Sequence, residues 1–257
     1  HTGGSEDAFV EFMNVYAESL GLKNTQYKNS TGLDDEGHYS SALDIALLAN
    51  EIIEKYPEYF QWYSQRSFTF DKAKDPLTNE PIIQYNRNKL LQRDSTVDGM
   101  KTGYTSSAGY CLVATAKKDT MRLIAVVTGA NSDAERTDST AALLNYGFRF
   151  FETTTIVDSK TPYAEAKVWK GETDTVQLGV KSDFIRTIPK GSVRSFETTV
   201  TVYSPVNAPV DTSQIVGKMT ITSGKDTLVE TPLYPMNSIK KGSLWQRIYD
   251  SALLLFE

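Results

Sequence analysis

The sequence predicts an α+β protein in which helices lie on an antiparallel sheet, followed by a small all-β domain and an amphipathic C-terminal helix. Three observations carry this reading. Helical-period segments and two apolar, β-branched runs share residues 1–152, short β-type segments separated by turn signals fill residues 153–242, and residues 243–257 return to helical spacing. A chain of 257 residues can bury a full core as one large domain or two ordinary ones, and the change of texture near residue 153 favours two.

The elements follow in order. In SEDAFVEFMNVYAESL, residues 5–20, Ala8, Phe9, Phe12, Met13, Tyr16 and Leu20 recur at helical spacing, with Ser5 placed to cap them. The polar stretch KNTQYKNSTGLDDEGHYS has too few core side chains for an element and reads as a long ordered loop, a kind of loop that tends to be functional. A second helix is predicted after the cap Ser41, with Asp44 as an acidic capping-box partner and Pro57 closing it. RSFTFD predicts a strand and KAKDPLTNEPII an excursion. YCLVATA and MRLIAVVTG, joined by KKDT, predict neighbouring antiparallel strands in a covered sheet. DAERTDSTAALLNYGFRFFE is helical through Ala134, Ala141, Leu144 and Phe148. After residue 153, segments such as AKVWKG, TVQLGV, FIRTIP and SFETTVTVYS predict the all-β domain. The last stretch sets Leu244, Trp245, Ile248, Tyr249, Ala252 and Leu255 on one stripe, suited either to pack on the β domain or to lie on a membrane surface.

Composition narrows the function classes. A formal net charge of −5 supplies no concentrated basic face, so nucleic acid is not an expected partner. No run approaches the roughly 18 apolar residues that span a bilayer, and the first residues lack the charged and apolar regions of a signal peptide. The expectation is a soluble chain or one attached to a membrane surface. Cys111 is the single cysteine and excludes an internal disulfide framework, while two histidines make a zinc site unexpected. Neither metal nor cofactor is expected.

The stretch VDGMKTGYTSSAGYCLVATA, residues 97–116, carries the chemistry. Lys101-Thr102-Gly103 follows the turn-like VDG and directly precedes an apolar run. A lysine beside a buried strand costs desolvation unless it has a partner, and a glycine weakens a strand unless something approaches the backbone closely. In the functional reading Lys101 supplies charge and donors, Thr102 a hydroxyl, and Gly103 room for a substrate backbone. The alternative is a lysine snorkelling at a strand end beside an ordinary turn. Cys111, mid-strand among apolar residues, reads as buried and inert rather than as a nucleophile. His38 reads as a loop-stabilising residue, and Asp34, Asp35 and Glu36 as a solvated loop.

NRNKLL at 86–91, residues 97–114, TGLDDEGHYSSALDIALLA at 31–49 and LLNYGFRFFE at 143–152 together resemble the low-molecular-mass penicillin-binding proteins that are D-alanyl-D-alanine carboxypeptidases. The resemblance runs through nearly the whole chain. It implies a partial transpeptidase/β-lactamase-like domain over residues 1–152, a β-rich domain over 153–242 and an amphipathic helix over 243–257. Family members carry Ser-x-x-Lys, Ser-x-Asn and Lys-Thr-Gly, and a serine nucleophile that forms an acyl-enzyme. By this resemblance Lys101 is catalytic, helping to hold the substrate carboxylate and the proton relay. Thr102 and Gly103 line the edge along which substrate aligns, and the backbone N–H of Tyr104, where relatives often have histidine, is the second oxyanion donor. Arg136, ten residues before Tyr146, matches an arginine near the terminal carboxylate, and Arg87 in NRN matches a cleft arginine. Each also has a plain reading, as a solvated helix-start residue and as a structural contact.

Neither Ser-x-x-Lys nor Ser-x-Asn stands at its expected place. The string Ser238 to Lys241 lies far along, in the β region. The resemblance therefore implies a C-terminal part of an enzyme, with half its cleft and without the nucleophile-bearing N-terminal segment, inactive by itself. The implied partners are a peptidoglycan stem peptide ending in D-Ala-D-Ala, β-lactam antibiotics, and a membrane surface met by the C-terminal helix. The implied location is the periplasm or cell surface, on the outer face of the cytoplasmic membrane. The alternative is a non-catalytic cell-envelope binding or scaffold module. A class A β-lactamase shares Lys-Thr-Gly, but the β domain and tail argue against it.

Overall fold

The computed structural model describes residues 3–254, so His1 and the predicted stripe residue Leu255 lie outside the described residues. The chain divides into two compact units, with the boundary between Phe150 and Phe151.

In the first unit, α1 (Glu6–Ser19) starts where Ser5 Oγ accepts the Ala8 N–H at 3.2 Å. Among the described residues it buries Val10 and Ala17 and leaves Phe9, Phe12 and Tyr16 exposed, so the predicted large-residue stripe is not its packed face. α2 (Ala42–Lys55) is capped by Ser41, whose Oγ accepts the Asp44 N–H at 3.1 Å. The reciprocal half of the capping box is absent. The buried Asp44 carboxylate instead accepts from Asn24 N and Thr25 Oγ1, both at 2.7 Å, because the start of the long loop brings donors that need an acceptor. Burial pushes the Asp44 carboxyl up, but the donors of Thr25, Asn24 and Ser41 outweigh it and hold it below the usual range. Pro57 opens a short helix, α3 (Pro57–Phe60), at a position where a missing N–H costs nothing.

The expected excursion is largely a hairpin. β1 (Ser67–Lys74) pairs antiparallel with β2 (Pro81–Tyr85), and Asp75 Oδ1 accepts from the N–H groups of Leu77 and Thr78 to form the turn. β2 escaped the sequence reading because it is short, opens on proline and shows no clean alternation of burial. α4 (Leu90–Arg93) follows, then a three-stranded antiparallel sheet in the order β3 (Val97–Thr105), β4 (Gly109–Lys118), β5 (Met121–Ala130). β4 and β5 are the two predicted apolar strands. VDG is not a turn before them: it begins β3, and Lys-Thr-Gly sits in the middle of that edge strand. β3 buries Val97, Gly99 and Met100 at its start but exposes Lys101, Gly103 and Tyr104, so it lacks the continuous apolar signature that β4 and β5 carry.

α5 (Asp133–Phe150) packs on β4 and β5. Its buried face is Arg136, Thr137, Thr140 and Leu144, while the predicted stripe member Ala134 is exposed. Thr137 and Thr140 are tolerated there because their hydroxyls donate to the carbonyls of Asp133 and Arg136, at 2.7 and 2.6 Å. Leu144, with Ala141 and Phe148 beside it, joins Leu90, Leu91, Val97, Leu112, Ala114 and Ala116 in the core.

The second unit holds β6 (Phe151–Val157), β7 (Ala164–Trp169), β8 (Thr175–Gly179), β9 (Phe184–Pro189), β10 (Phe196–Val202), β11 (Val206–Asn207), β12 (Gly217–Ser223) and β13 (Asp226–Pro235). Six form one sheet in the order β10-β12-β13-β8-β7-β11, and β6 pairs with β9. Leu178, Met219 and Leu233 are fully enclosed between these strands. α6 (Leu244–Leu253) does not use its apolar stripe to pack here: Leu244, Trp245, Ile248 and Tyr249 are exposed, as is Ala252. Its polar side docks instead, the buried Asp250 accepting the Lys170 N–H. No helix among the described residues is long and apolar enough to cross a membrane.

Candidate active site

The edge strand β3 presents Lys101 and Tyr104 exposed and Thr102 half-buried, because β4 pairs along one side of it, with Gly103 opposite Cys111 and Tyr104 opposite Tyr110. Lys101 Nζ donates to the Thr102 carbonyl of its own strand at 2.5 Å rather than to a carboxylate. A Cβ built at Gly103 would meet only the Cys111 Cβ, at 3.8 Å, which is ordinary contact, so packing within the unit does not demand glycine there. The Tyr104 ring stacks on Tyr110 with centroids 4.3 Å apart, and the Arg136 guanidinium lies 5.3 Å from the Tyr110 centroid.

α5 delivers Arg136 from behind. It is 6% exposed, and its Nη1 donates to the carbonyls of Gly103 at 2.9 Å and Cys111 at 3.2 Å, bracing two facing residues of β3 and β4. Its Nε and Nη2 both donate to Asp133 Oδ1, at 2.8 and 2.5 Å. The other oxygen of Asp133 pairs with Lys89 Nζ at 2.5 Å. The Lys89 ammonium, and after it Arg136, hold the Asp133 carboxyl below its ordinary range against the opposing effect of partial burial.

The NRNKLL stretch is a brace between elements. Asn88, 1% exposed, donates from Nδ2 to the Gly99 carbonyl at 2.9 Å and accepts the Leu90 N–H at 3.1 Å, fixing β3 to the start of α4. Arg87 beside it is exposed. The polar loop arrives from the other side. Asn29 Oδ1 accepts from Thr31 Oγ1 and Gly32 N, at 3.0 and 2.8 Å, and Asp34 takes a short hydrogen bond from Ser107 in the β3–β4 turn. That bond, with others from Thr105 and Ser106, holds the Asp34 carboxyl low. His38 stays in this loop, its Nδ1 accepting the Lys28 N–H and its ring edge-on to Tyr27.

These elements enclose a cavity of about 960 Å³. Arg87, Lys101, Thr102, Gly103, Tyr104 and Arg136, the six residues singled out from the sequence, all line it. The residues that sequence reasoning missed are Asp133, Lys89, Asn88 and Tyr110; the one signal for them was an acid three residues before Arg136 at a helix start. Cys111 is half-buried rather than buried, its thiol directed to the Ala108 carbonyl at 3.6 Å. Ser238 is exposed in the second unit, between β13 and α6. Among the described residues no group of three or more His, Cys, Asp or Glu is arranged to hold a metal.

The family described as D-alanyl-D-alanine carboxypeptidase matches residues 1–132, more than half the chain. The chain belongs to that family. The C-terminal domain of penicillin-binding protein 5 matches residues 151–241 of this carboxypeptidase-family chain. D-alanyl-D-alanine carboxypeptidase DacA of Escherichia coli is 38% identical over 255 residues, which cover 98% of this chain and 61% of that protein. DacC of the same organism is 36% identical over 258 residues, covering 100% of this chain and 62% of the relative. The crystal structure of penicillin binding protein 5 from Haemophilus influenzae is similar with a TM-score of 0.69 at 37% identity, covering 93% of this chain and 67% of the other. The α+β architecture followed by a β domain is thus that of the family. The chain spans about three fifths of the length of these curated relatives.

Proposed function

We propose that the whole protein to which this chain belongs is a serine-type D-alanyl-D-alanine carboxypeptidase that trims peptidoglycan stem peptides through an acyl-enzyme. The observation that carries this is one cavity lined by Lys101 to Tyr104, Arg87 and Arg136, in a chain of this family. Among the described residues the exposed Lys101 ammonium has no carboxylate partner, which suits it to a substrate carboxylate and to moving a proton. Thr102 adds a hydroxyl, and Gly103, whose hydrogen side chain the fold does not need, admits a substrate backbone along the open edge of β3. The Tyr104 backbone N–H is the second oxyanion donor, and Arg87 and Arg136 belong to the binding of the substrate's terminus. A serine of the whole protein attacks the penultimate D-alanine carbonyl, the C–N bond breaks with release of the terminal D-alanine, and water hydrolyses the ester. β-Lactams are held at the acyl stage.

The exposed stripe of α6 supports association with the outer face of the cytoplasmic membrane, in the periplasm or at the cell surface. In liposome flotation, a chain ending at Gly242 is expected to float less than the 257-residue chain; equal flotation removes the idea.

The deciding test is D-alanine release by the whole protein from a stem-peptide mimic, with intact mass after penicillin treatment. Release and an adduct are expected, and Lys101→Ala should lower the rate by about 100-fold or more. No release and no adduct from the unaltered whole protein would sink the reading.

A further inference from the structure

We propose that Asp133 is a built-in carboxylate competitor, occupying the guanidinium edge of Arg136 that a substrate's C-terminal carboxylate would otherwise take, and so setting how strongly the cavity favours a free C-terminus. This rests on the carboxypeptidase reading of the cavity.

A guanidinium has five N–H donors, and its Nε/Nη2 edge is one that pairs with a carboxylate through two parallel bonds. In Arg136 that edge is already filled, both nitrogens donating to Asp133 Oδ1, while Nη1 is spent on the carbonyls of Gly103 and Cys111. The cations lining the cavity are Arg87, Lys89, Lys101 and Arg136, and Asp133 is the acid among the lining residues. Through its two oxygens it pairs with Lys89 and Arg136 together, its single charge offsetting part of their combined two. Arg87 and Lys101 carry no such partner among the described residues.

Asp133 is placed to be exchanged. Its side chain keeps 29% exposure and lines the cavity, whereas that of Arg136 keeps 7%, so a carboxylate reaches this edge of Arg136 by displacing Asp133. Its charge is secure near neutral pH, since Lys89 and Arg136 stabilise the ionised form and it stands at the first residue of α5, where the helix dipole favours an anion. A substrate carboxylate arriving at Arg136 therefore trades one ion pair for another, and the gain from a free C-terminus falls accordingly. Arg136 meanwhile keeps its Nη1 grip on β3 and β4, so competition is confined to one edge.

The test compares a peptide ending in D-Ala-D-Ala with its C-terminal amide, using the whole protein and its Asp133→Asn and Asp133→Glu variants. Asp133→Asn preserves shape and removes the charge. It is expected to lower KM for the free acid about three- to five-fold, the size of a partly exposed ion pair, with kcat nearly unchanged. KM for the amide should not move, and Asp133→Glu should restore the original ratio of acid to amide. Equal shifts for acid and amide, or a higher KM for the acid, would overturn the proposal, because Asp133 would then be holding the site together rather than competing. If the unaltered protein cleaves neither peptide, the activity reading fails separately. The proposal is then decided by calorimetric Kd for the acid and by the Arg136 Nε–H resonance on titration. Identical Kd values and an unmoved resonance in both proteins refute it.

Discussion

Among the described residues, the second unit packs fourteen buried apolar residues into one core, whereas the first unit's core cluster gathers eight and that unit also buries Asp44, Asn88, Thr115, Arg136, Thr137 and Thr140. The difference shows what a buried position can be used for. In the β unit buried positions mainly exclude water, Thr231 and Asp250 being its buried polar residues among those described; in the cavity-bearing unit a buried amide or guanidinium more often fixes where a neighbouring backbone runs. Arg122, only partly buried, acts in a similar way, pairing through two bonds with Asp98 of β3 and donating to the buried Thr115 hydroxyl of β4 at 2.7 Å.

Truncating Leu178 tests the first half of that contrast. Leu178→Ala should cost about 2–5 kcal/mol, since both transfer energy and a cavity are involved. The readout is urea unfolding followed by fluorescence of Trp169, buried in the same unit. A loss below about 1 kcal/mol would mean that this core relaxes around the gap and is not the well-packed partner in the comparison. Asn88→Ala tests the other half. It strands the Gly99 carbonyl and the Leu90 N–H, for about 1–3 kcal/mol, and should speed amide exchange in β3 ahead of β5. Uniform exchange across the sheet would make Asn88 a filler rather than a brace.

Smaller effects refine the picture. Ser41→Ala removes one cap of α2 and should cost about 1 kcal/mol in thermal unfolding, less than the buried amide; a larger loss would show that the cap also holds Asp44 in place. The smallest expected effect is pH-dependent. The folded-state pKa of Asp133 is depressed, so its stabilising contribution is complete above the unfolded value of about 3.9 and fades as pH falls through the folded value. The unaltered protein should exceed Asp133→Asn in Tm at pH 6 by an amount that shrinks below about pH 4. A gap that stays constant down to pH 2 would detach it from this carboxylate.

Sequence reasoning reached β4, β5 and the C-terminal part of α5 because their burial follows from local apolar pattern. It missed β2 and the true extent of β3, whose exposed edge and mixed composition leave no period to read. Lys101, Thr102 and Gly103 drew attention by residue type and position, but alone they favour a strand-end lysine; the family resemblance tipped that reading and added Tyr104, Arg136 and Arg87. The roles of Asp133, Lys89 and Asn88 went unread for a physical reason. Each looks like an ordinary surface residue, and only the fold shows that one carboxylate meets two cations and one amide meets a distant carbonyl. The stripe of α6 was correct as a pattern, but which side docks depended on Asp250, a single polar residue finding the Lys170 N–H.

β3 has a strand neighbour on one side only among the described residues. An edge of that kind recruits any extended chain, a second copy of itself included, unless something spoils the match. Lys101 stands exposed in the middle of it, and two copies aligning edge to edge would bring like charges together. The side chain proposed for chemistry therefore also acts as a guard against self-assembly. A Lys101 replacement by an apolar residue is expected to shorten the time to turbidity at high concentration as well as to slow turnover, and a neutral polar replacement should separate the two.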